Sequence, residues 1–429
     1  MQLGFKSISV IVVGVIGVVV GAYMLGVKQS AKPMESPAAQ SPADAQKTAG
    51  GPLQPGAALP PNHPPMNQGG QQANPGGQQG GQAGSDRPDP NARFTHFNVG
   101  NSNVKSLYID GKFVWVGTSN GVIRYDTSTD EYRLFDTRNG LLSNGMFYVG
   151  KLDGRIAVGT YGGGISLYDQ ASDVWENFNL PNGLADAFVY GALKDSNGDI
   201  WIATWSGANR IRGGDLKDRS KWDTFTVENT KGGLPNDWVY GLAQGKDGEV
   251  WMATEGGLAR FKDGKWQNWN HAKGLGAPID KVKNDPQFGN DPAKLSSHHA
   301  KQKEEMGLKG INVAYNPNYI ISMQVDRNGV VWAGTWGGGL ARFDGKTWRN
   351  YTMADGLPGN HIFMLHYDPA GQLWIGTNNG VARFDGNKFT VLTTADGLFS
   401  NTVFSMATAP DGTRWIGSFG GVARLATLK

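Results

Sequence analysis

The chain contains no cysteine. Disulfides, thioether-linked haem and thiolate metal sites are therefore excluded. The compartment stays open, because exported bacterial proteins often do without the residue. An excess of either charge is also missing: 40 Lys and Arg stand against 37 Asp and Glu. No run of basic residues interrupts that balance, so the basic stripe of a nucleic-acid binder is absent. No Ser-His-Asp arrangement, phosphate-binding glycine loop or HExxH string occurs. Neither an enzyme nor a cofactor is expected. What the sequence has in quantity is 63 Gly and 14 Trp. That pairing fits short strands joined by tight turns, each packing a large aromatic.

Three regions follow one another. Residues 1–28 hold an uncharged apolar stretch, Ile8 to Leu25, long enough to cross a bilayer as one helix. A cleaved signal peptide is the competing reading. It requires a small-x-small cleavage site, and no clean Ala-x-Ala follows. Gly17 and Gly21 form a GxxxG pair through which two such helices can approach and dimerise. Lys6 precedes the stretch while Lys28 and Lys32 follow it, so charge barely decides its orientation. Residues 29–92 are dominated by Pro, Gly, Gln, Ala and Ser. They cannot bury enough apolar surface to offset the entropy of ordering, and they read as a disordered tether.

Residues 93–429 are a repeat array. VWVGTSNGVIRYD around Trp115 recurs as DIWIATWSGANRI at Trp201, VWMATEGGLARF at Trp251 and VWAGTWGGGLARFD at Trp332. It recurs again as LWIGTNNGVARFD at Trp374 and RWIGSFGGVARL at Trp415, and a degenerate copy puts Ala157 in the Trp slot. The spacing is that of propeller blades, apart from the gap between Trp251 and Trp332, which must hold an insertion. Each unit reads as four antiparallel strands, with Asn328-Gly329 and Asp344-Gly345 as hairpin turns in one copy. Seven units are counted, the last lacking its fourth strand. Phe94-Thr95-His96-Phe97 reads like Phe389-Thr390-Val391-Leu392 and supplies it. The expected fold is an all-β, seven-bladed propeller, closed by pairing its first and last segments.

The recurring WIGTxxGVARFDG…DGLxxNxV pattern resembles the two-component regulator propeller repeat across residues 94–429. That resemblance implies a sensor propeller in the periplasm or outside the cell, often joined to a histidine kinase. No kinase, immunoglobulin-like domain or second apolar span is found in these 429 residues, so a kinase output is not carried over. The expected place is the bacterial inner membrane, crossed once, with the propeller outside the cytoplasm.

Ligands of propellers collect on the face formed by the turns between strands two and three and by the connections between blades, where rigid strands hold variable loops. One ring of slots there holds Ser119, Tyr161, Trp205, Glu255, Trp336, Asn378 and Phe419. A second holds Asn103, Gly145, Phe188, Trp238, Tyr319, His361 and Thr402. Tyr161, Trp205, Trp238, Glu255, Tyr319, Trp336, His361 and Phe419 are the candidate ligand or partner contacts, because exposed Trp in a turn has no packing reason to exist. Aromatics flanked by amides suit a sugar-like or peptide ligand, or an envelope protein. By contrast, Trp115, Trp201, Trp251, Trp332, Trp374 and Trp415 read as core between blades. Asn144, Asp237, Asn318, Asn360 and Asn401 read as turn caps. The insertion, residues 276–316, leaves the ring on the same face and is placed to lie over its opening. Its polar middle, Asp291 to Met306, reads as a solvated helix, and adjacent His298 and His299 point too far apart to share a metal. Asp195-x-Asn197-x-Asp199 and Asp126-x-Ser128-x-Asp130 are half calcium loops without the remaining ligands, and they too read as turns. The leading function is non-enzymatic recognition. The alternatives are an envelope scaffold or assembly factor, and a lyase: streptogramin lyases are similar propellers, and only His361 and Glu255 here occupy suitable slots.

Overall fold

A computed structural model describes residues 92–286, 291–294, 297–310 and 313–426. The apolar stretch Ile8 to Leu25 and residues 29–91 of the tether lie outside the described residues. No described helix is long and apolar enough to cross a membrane.

The described residues form 26 strands, numbered here β1 to β26 in chain order. Seven inner strands contact one another in a closed cycle: β1 (Phe94–Asp110), β5 (Met146–Leu152), β9 (Val189–Lys194), β13 (Val239–Gln244), β17 (Asn316–Val325), β21 (Ile362–Tyr367) and β25 (Val403–Thr408). The all-β propeller is therefore present, but seven separate sheets are not. There are six, of which five have four strands and one has six. The physical reason lies at the closure. β1 runs unbroken through 17 residues. Its first half, Phe94 to Asn98, pairs with Leu425 to Gly421 of β26 (Arg414–Leu425), and its second half, Val104 to Asp110, pairs with β2 (Phe113–Thr118). The first and last repeat units are thus fused into one sheet.

The repeat motif is explained by four local constraints. The motif tryptophans are 1–5% exposed, in apolar clusters that join successive units. Each of the first five stands directly across from an arginine on the third strand, as in Trp115 with Arg124 and Trp332 with Arg342. In four pairs the guanidinium lies 5.5–5.9 Å from the indole centroid, within range of a cation–π attraction. Where Ala157 replaces Trp, its cluster contains Trp222 from the next unit.

The motif Thr or Ser clamps the turn between strands two and three in every unit. Its hydroxyl donates to a glycine carbonyl, from Thr118 to Gly121 at 2.8 Å through Ser418 to Gly421 at 3.1 Å. In the first six units that glycine sits at positive φ, where a side chain would be strained. Gly257 has φ +123°, and a Cβ there would sit 2.2 Å from the Trp269 carbonyl oxygen. Finally, the leucine of each DGL-like segment is a buried peg: Leu141, Leu184, Leu234, Leu275, Leu357 and Leu398 are 0–5% exposed. Asn144, Asp237, Asn318, Asn360 and Asn401 each accept a backbone N–H seven to ten residues upstream, or 47 in the case of Asn318. They are the turn caps that the sequence implies. Asp195 likewise accepts the N–H groups of Asn197 and Asp199, and Asp126 that of Ser128. No metal-holding cluster occurs among the described residues.

Closure by Phe94–Asn98 sets an expected outcome for truncation. Deleting residues 1–90 leaves a folded head, whereas deleting 1–99 strips the outer strand from the last unit and lowers the urea midpoint of the whole head. Trp374→Ala is expected to cost about 3–5 kcal/mol, the range for emptying a buried aromatic site. Equal urea midpoints for the two truncations would show that the closing strand contributes nothing.

Candidate functional site

The two rings of slots foreseen on the loop face are one structure. The residue after the motif Thr donates its N–H to the carbonyl of the second-ring residue: Tyr161 to Gly145 at 2.8 Å, Trp205 to Phe188, Glu255 to Trp238 and Asn378 to His361 at 3.2 Å. Two residues further along, every inner strand carries a bulge. The pairing register skips Lys105, Phe147, Tyr190, Tyr240, Ile321, Phe363 and Phe404. A bulge re-aims the extra side chain. Here the bulged rings meet from unit to unit around the axis. Phe147 and Tyr190 are 4.5 Å apart, Tyr190 and Tyr240 4.9 Å, and Phe363 and Phe404 5.5 Å.

Above them the candidate contacts form a second aromatic chain. Tyr161 meets Phe188 edge-on at 4.6 Å, Trp205 stacks on Trp238 at 3.8 Å, and Tyr319 stacks on Trp336 at 5.5 Å. Six of the eight candidates are therefore joined: Trp205 with Trp238, Tyr319 with Trp336, Trp336 with His361 at 5.2 Å, and Tyr161 to Trp205 through Phe188 at 6.4 Å. Glu255 joins through Tyr240, whose hydroxyl donates to it at 3.1 Å. Phe419 stands apart at the closure, across from Asn103, and is 38% exposed.

The expectation of exposed tryptophans fails for half the face. Trp238 and Trp336 are 8% and 9% exposed, while Glu255 and His361 are fully buried. The insertion is the cause. It forms two helices, α1 (Ile279–Val282) and α2 (Ser297–Glu305), over a small core of Ala277, Val282, Leu308 and Tyr315. It is not the solvated excursion that its polarity implies. His299 of α2 is 3% exposed. Its Nδ1 lies 2.5 Å from Glu255 Oε1, and its ring packs against Trp238 and Tyr319. Further ties reach the sixth unit. Asn360 donates to Asp285 at 2.7 Å, and His361 Nε2 donates to the Ala314 carbonyl at 2.8 Å. The insertion therefore packs on units four to six. Tyr161, Trp205 and most bulged side chains remain half-buried.

Burial acts strongly on the titrating groups. It pushes the Tyr240 and Tyr190 hydroxyls well above the usual tyrosine range, helped by neighbouring tyrosines and Glu255. It pulls His361 and His366 down to about 4. A separate groove of about 540 Å³ lies at the hairpin-turn side, between Asp326, Arg342, Arg349 and Tyr367. No candidate residue lines it.

Sequence reasoning missed His299 and the bulged ring. The ring does leave a trace: two bulky residues in succession, such as Val189-Tyr190, Val239-Tyr240 and Ile362-Phe363, break the alternation of a half-buried strand. His299 leaves none, because its partner Glu255 lies 44 residues away in another element.

A closed ring of antiparallel sheets around seven inner strands is a β-propeller. Within that class, the two-component regulator propeller model matches residues 183–206, 233–256, 314–337 and 356–379. The chain carries that repeat. A search of curated proteins returns no match. Among solved structures it is similar to the extracellular domain of a hybrid two component system, BT3049, from B. thetaiotaomicron. The identity is 21% and the TM-score 0.59, over 78% of this chain and 41% of that one. The chain thus spans about two fifths of that relative's length. It is also similar to a catalytically inactive virginiamycin B lyase from Staphylococcus aureus with quinupristin, at 12% identity and TM-score 0.54, over 78% of this chain and 99% of that one. YCF48 bound to D1 peptide is 12% identical with TM-score 0.51, over 80% and 99% of the two chains. These likenesses describe the fold.

The depressed histidines give a pH expectation. His361 titrates near 4 in the folded chain, against about 6.5 unfolded. Between those values the unfolded chain binds the extra proton, so stability is complete above about 6.5 and falls as pH drops towards 4. The loss is on the order of 3 kcal/mol for His361. Melting temperature should decline across that window and decline less steeply in His361→Gln, with His366, also pulled down to about 4, supplying the remainder. A flat wild-type profile would mean that the ring is not held neutral.

Proposed function

We propose that this propeller is a non-enzymatic recognition head outside the cytoplasmic membrane, tethered through residues 29–92 to an anchor in residues 1–28 of the bacterial inner membrane. Its ligand, sugar-like or peptide, binds on the loop face. The observation that carries this is the aromatic rim on units two and three: Phe147, Tyr161, Tyr190 and Trp205 are half-buried and are linked ring to ring, directly or through Phe188. Flat rings held rigidly by strands lose little freedom on binding, and they stack on sugar or peptide faces.

The lyase alternative loses its residues. His361 is fully buried, neutral and committed to the Ala314 carbonyl, and Glu255 is buried against His299. That burial supports the non-enzymatic reading. The extracytoplasmic placement draws support from the repeat, since the similar B. thetaiotaomicron propeller is an extracellular domain.

Two measurements test the proposal. Full-length chain in detergent, applied to glycan and peptide arrays, is expected to retain a binder whose affinity falls at least about tenfold in Trp205→Ala, a loss of about 1.4 kcal/mol, with little change in melting temperature. Binding unaffected by Trp205→Ala and Tyr161→Ala together would move the site off this rim. Protease added to spheroplasts should degrade the head and spare a cytoplasmic control, and a protected head would reverse the topology.

A further inference from the structure

The seven bulged positions are chemically unequal. Six carry Phe, Tyr or Ile, and the seventh is Lys105. Its ammonium lies 5.1 Å from the centroid of the Phe404 ring, the bulged residue of the preceding inner strand. On the following strand the same position holds Phe147. Lys105 is half-buried, and its Nζ makes no hydrogen bond or ion pair among the described residues. Burial alone pulls it down to about 8, with no charged neighbour contributing. At neutral pH it is still mostly protonated.

Such a cation is an incomplete unit. A partly dehydrated ammonium has lost water that no polar group among the described residues replaces, and the ring face beneath returns only part of that loss. A carboxylate or another oxyanion would complete it with a charge-assisted hydrogen bond. The surroundings limit what carries that anion. Its body must lie against Phe404 and Phe147, so it needs a flat, weakly polar face beside a single negative charge. Half-burial leaves part of the Lys105 surface open to solvent.

We infer that Lys105 is the anchor of an anion subsite at the inner rim, and that the ligand is a small monoanion with one flat apolar face, an acidic sugar or an aromatic carboxylate. This rests on the reading that the loop face takes a ligand, and it names the chemistry of that ligand.

The test uses full-length chain in detergent with matched probes: D-glucuronate against methyl glucoside, and phenylacetate against phenylacetamide. Reductive methylation of Lys105, read by mass spectrometry, reports occupancy without any substitution. An acidic probe is expected to slow labelling of Lys105 while its neutral match does not. Protection by glucuronate alone identifies an acidic sugar, and protection by phenylacetate alone an aromatic acid. Lys105→Met should weaken the protecting anion by about tenfold or more, as loss of a charged hydrogen bond does, and Lys105→Arg should restore it. Equal labelling with acidic and neutral probes, or unchanged anion affinity in Lys105→Met, overturns the subsite. A neutral array ligand that depends on Trp205 but ignores Lys105→Met would leave the recognition face standing and remove only the anion anchor.

Discussion

The ring depends on how closely each unit can approach the next near the axis. A small residue on the second strand makes that contact. A Cβ on Gly117 would come within 2.8 Å of Val149, one on Gly376 within 2.7 Å of the Val403 carbonyl, and one on Gly417 within 2.5 Å of Val104. In two units Ala203 and Ala253 occupy the place, both fully buried. Units pinched together by small residues inside must be spread by large ones outside. The motif Trp, two residues earlier on the same strand, fills that wider space. Alternation along a strand sends side chains to opposite faces, so the Trp and the small residue share one face, and one six-residue string encodes a wedge. The Gly417–Val104 contact repeats the geometry between the last unit and the first, which is why the ring closes.

The same constraint sets the working face. Tight approach leaves no room for an ordinary side chain at the mouth, and the bulge in each inner strand turns one residue out of the interface. The mouth is therefore a sequence-variable ring on an invariant frame. The insertion then divides it. His299 with Glu255, and His361 with Ala314, fasten α2 and its flanks to units four to six, so variation in those units serves packing. The rim rings of units two and three stay half-buried.

How much was readable in advance follows from the range of each interaction. The repeat, the turn caps on Asn144 and Asn401, the tryptophan core and the closing strand from Phe94 are local patterns or recurrences, and a single sequence displays them. The fusion of first and last units into one sheet is invisible, because it depends on β1 continuing through Gly100 and Asn101 without a break. The burial of Trp238, Trp336, Glu255 and His361 was unreadable for another reason. Their slots are equivalent by sequence to those of Trp205 and Tyr161, and only the path of residues 276–316 makes them different.

Closure also orders events in time. Arg424 Nη2 donates to Thr95 Oγ1 across 329 residues of chain. During synthesis the segment from Phe94 waits, with a free strand edge, until nearly the whole head has been made. Contacts of such long range are slow to form, and an idle edge invites pairing with another chain. The vulnerable species in the life of this protein is thus the open crescent, complete in every unit but the last. A holding chaperone that masks the stretch from Phe94 to Asn98 would protect it more effectively than one that binds any interior repeat.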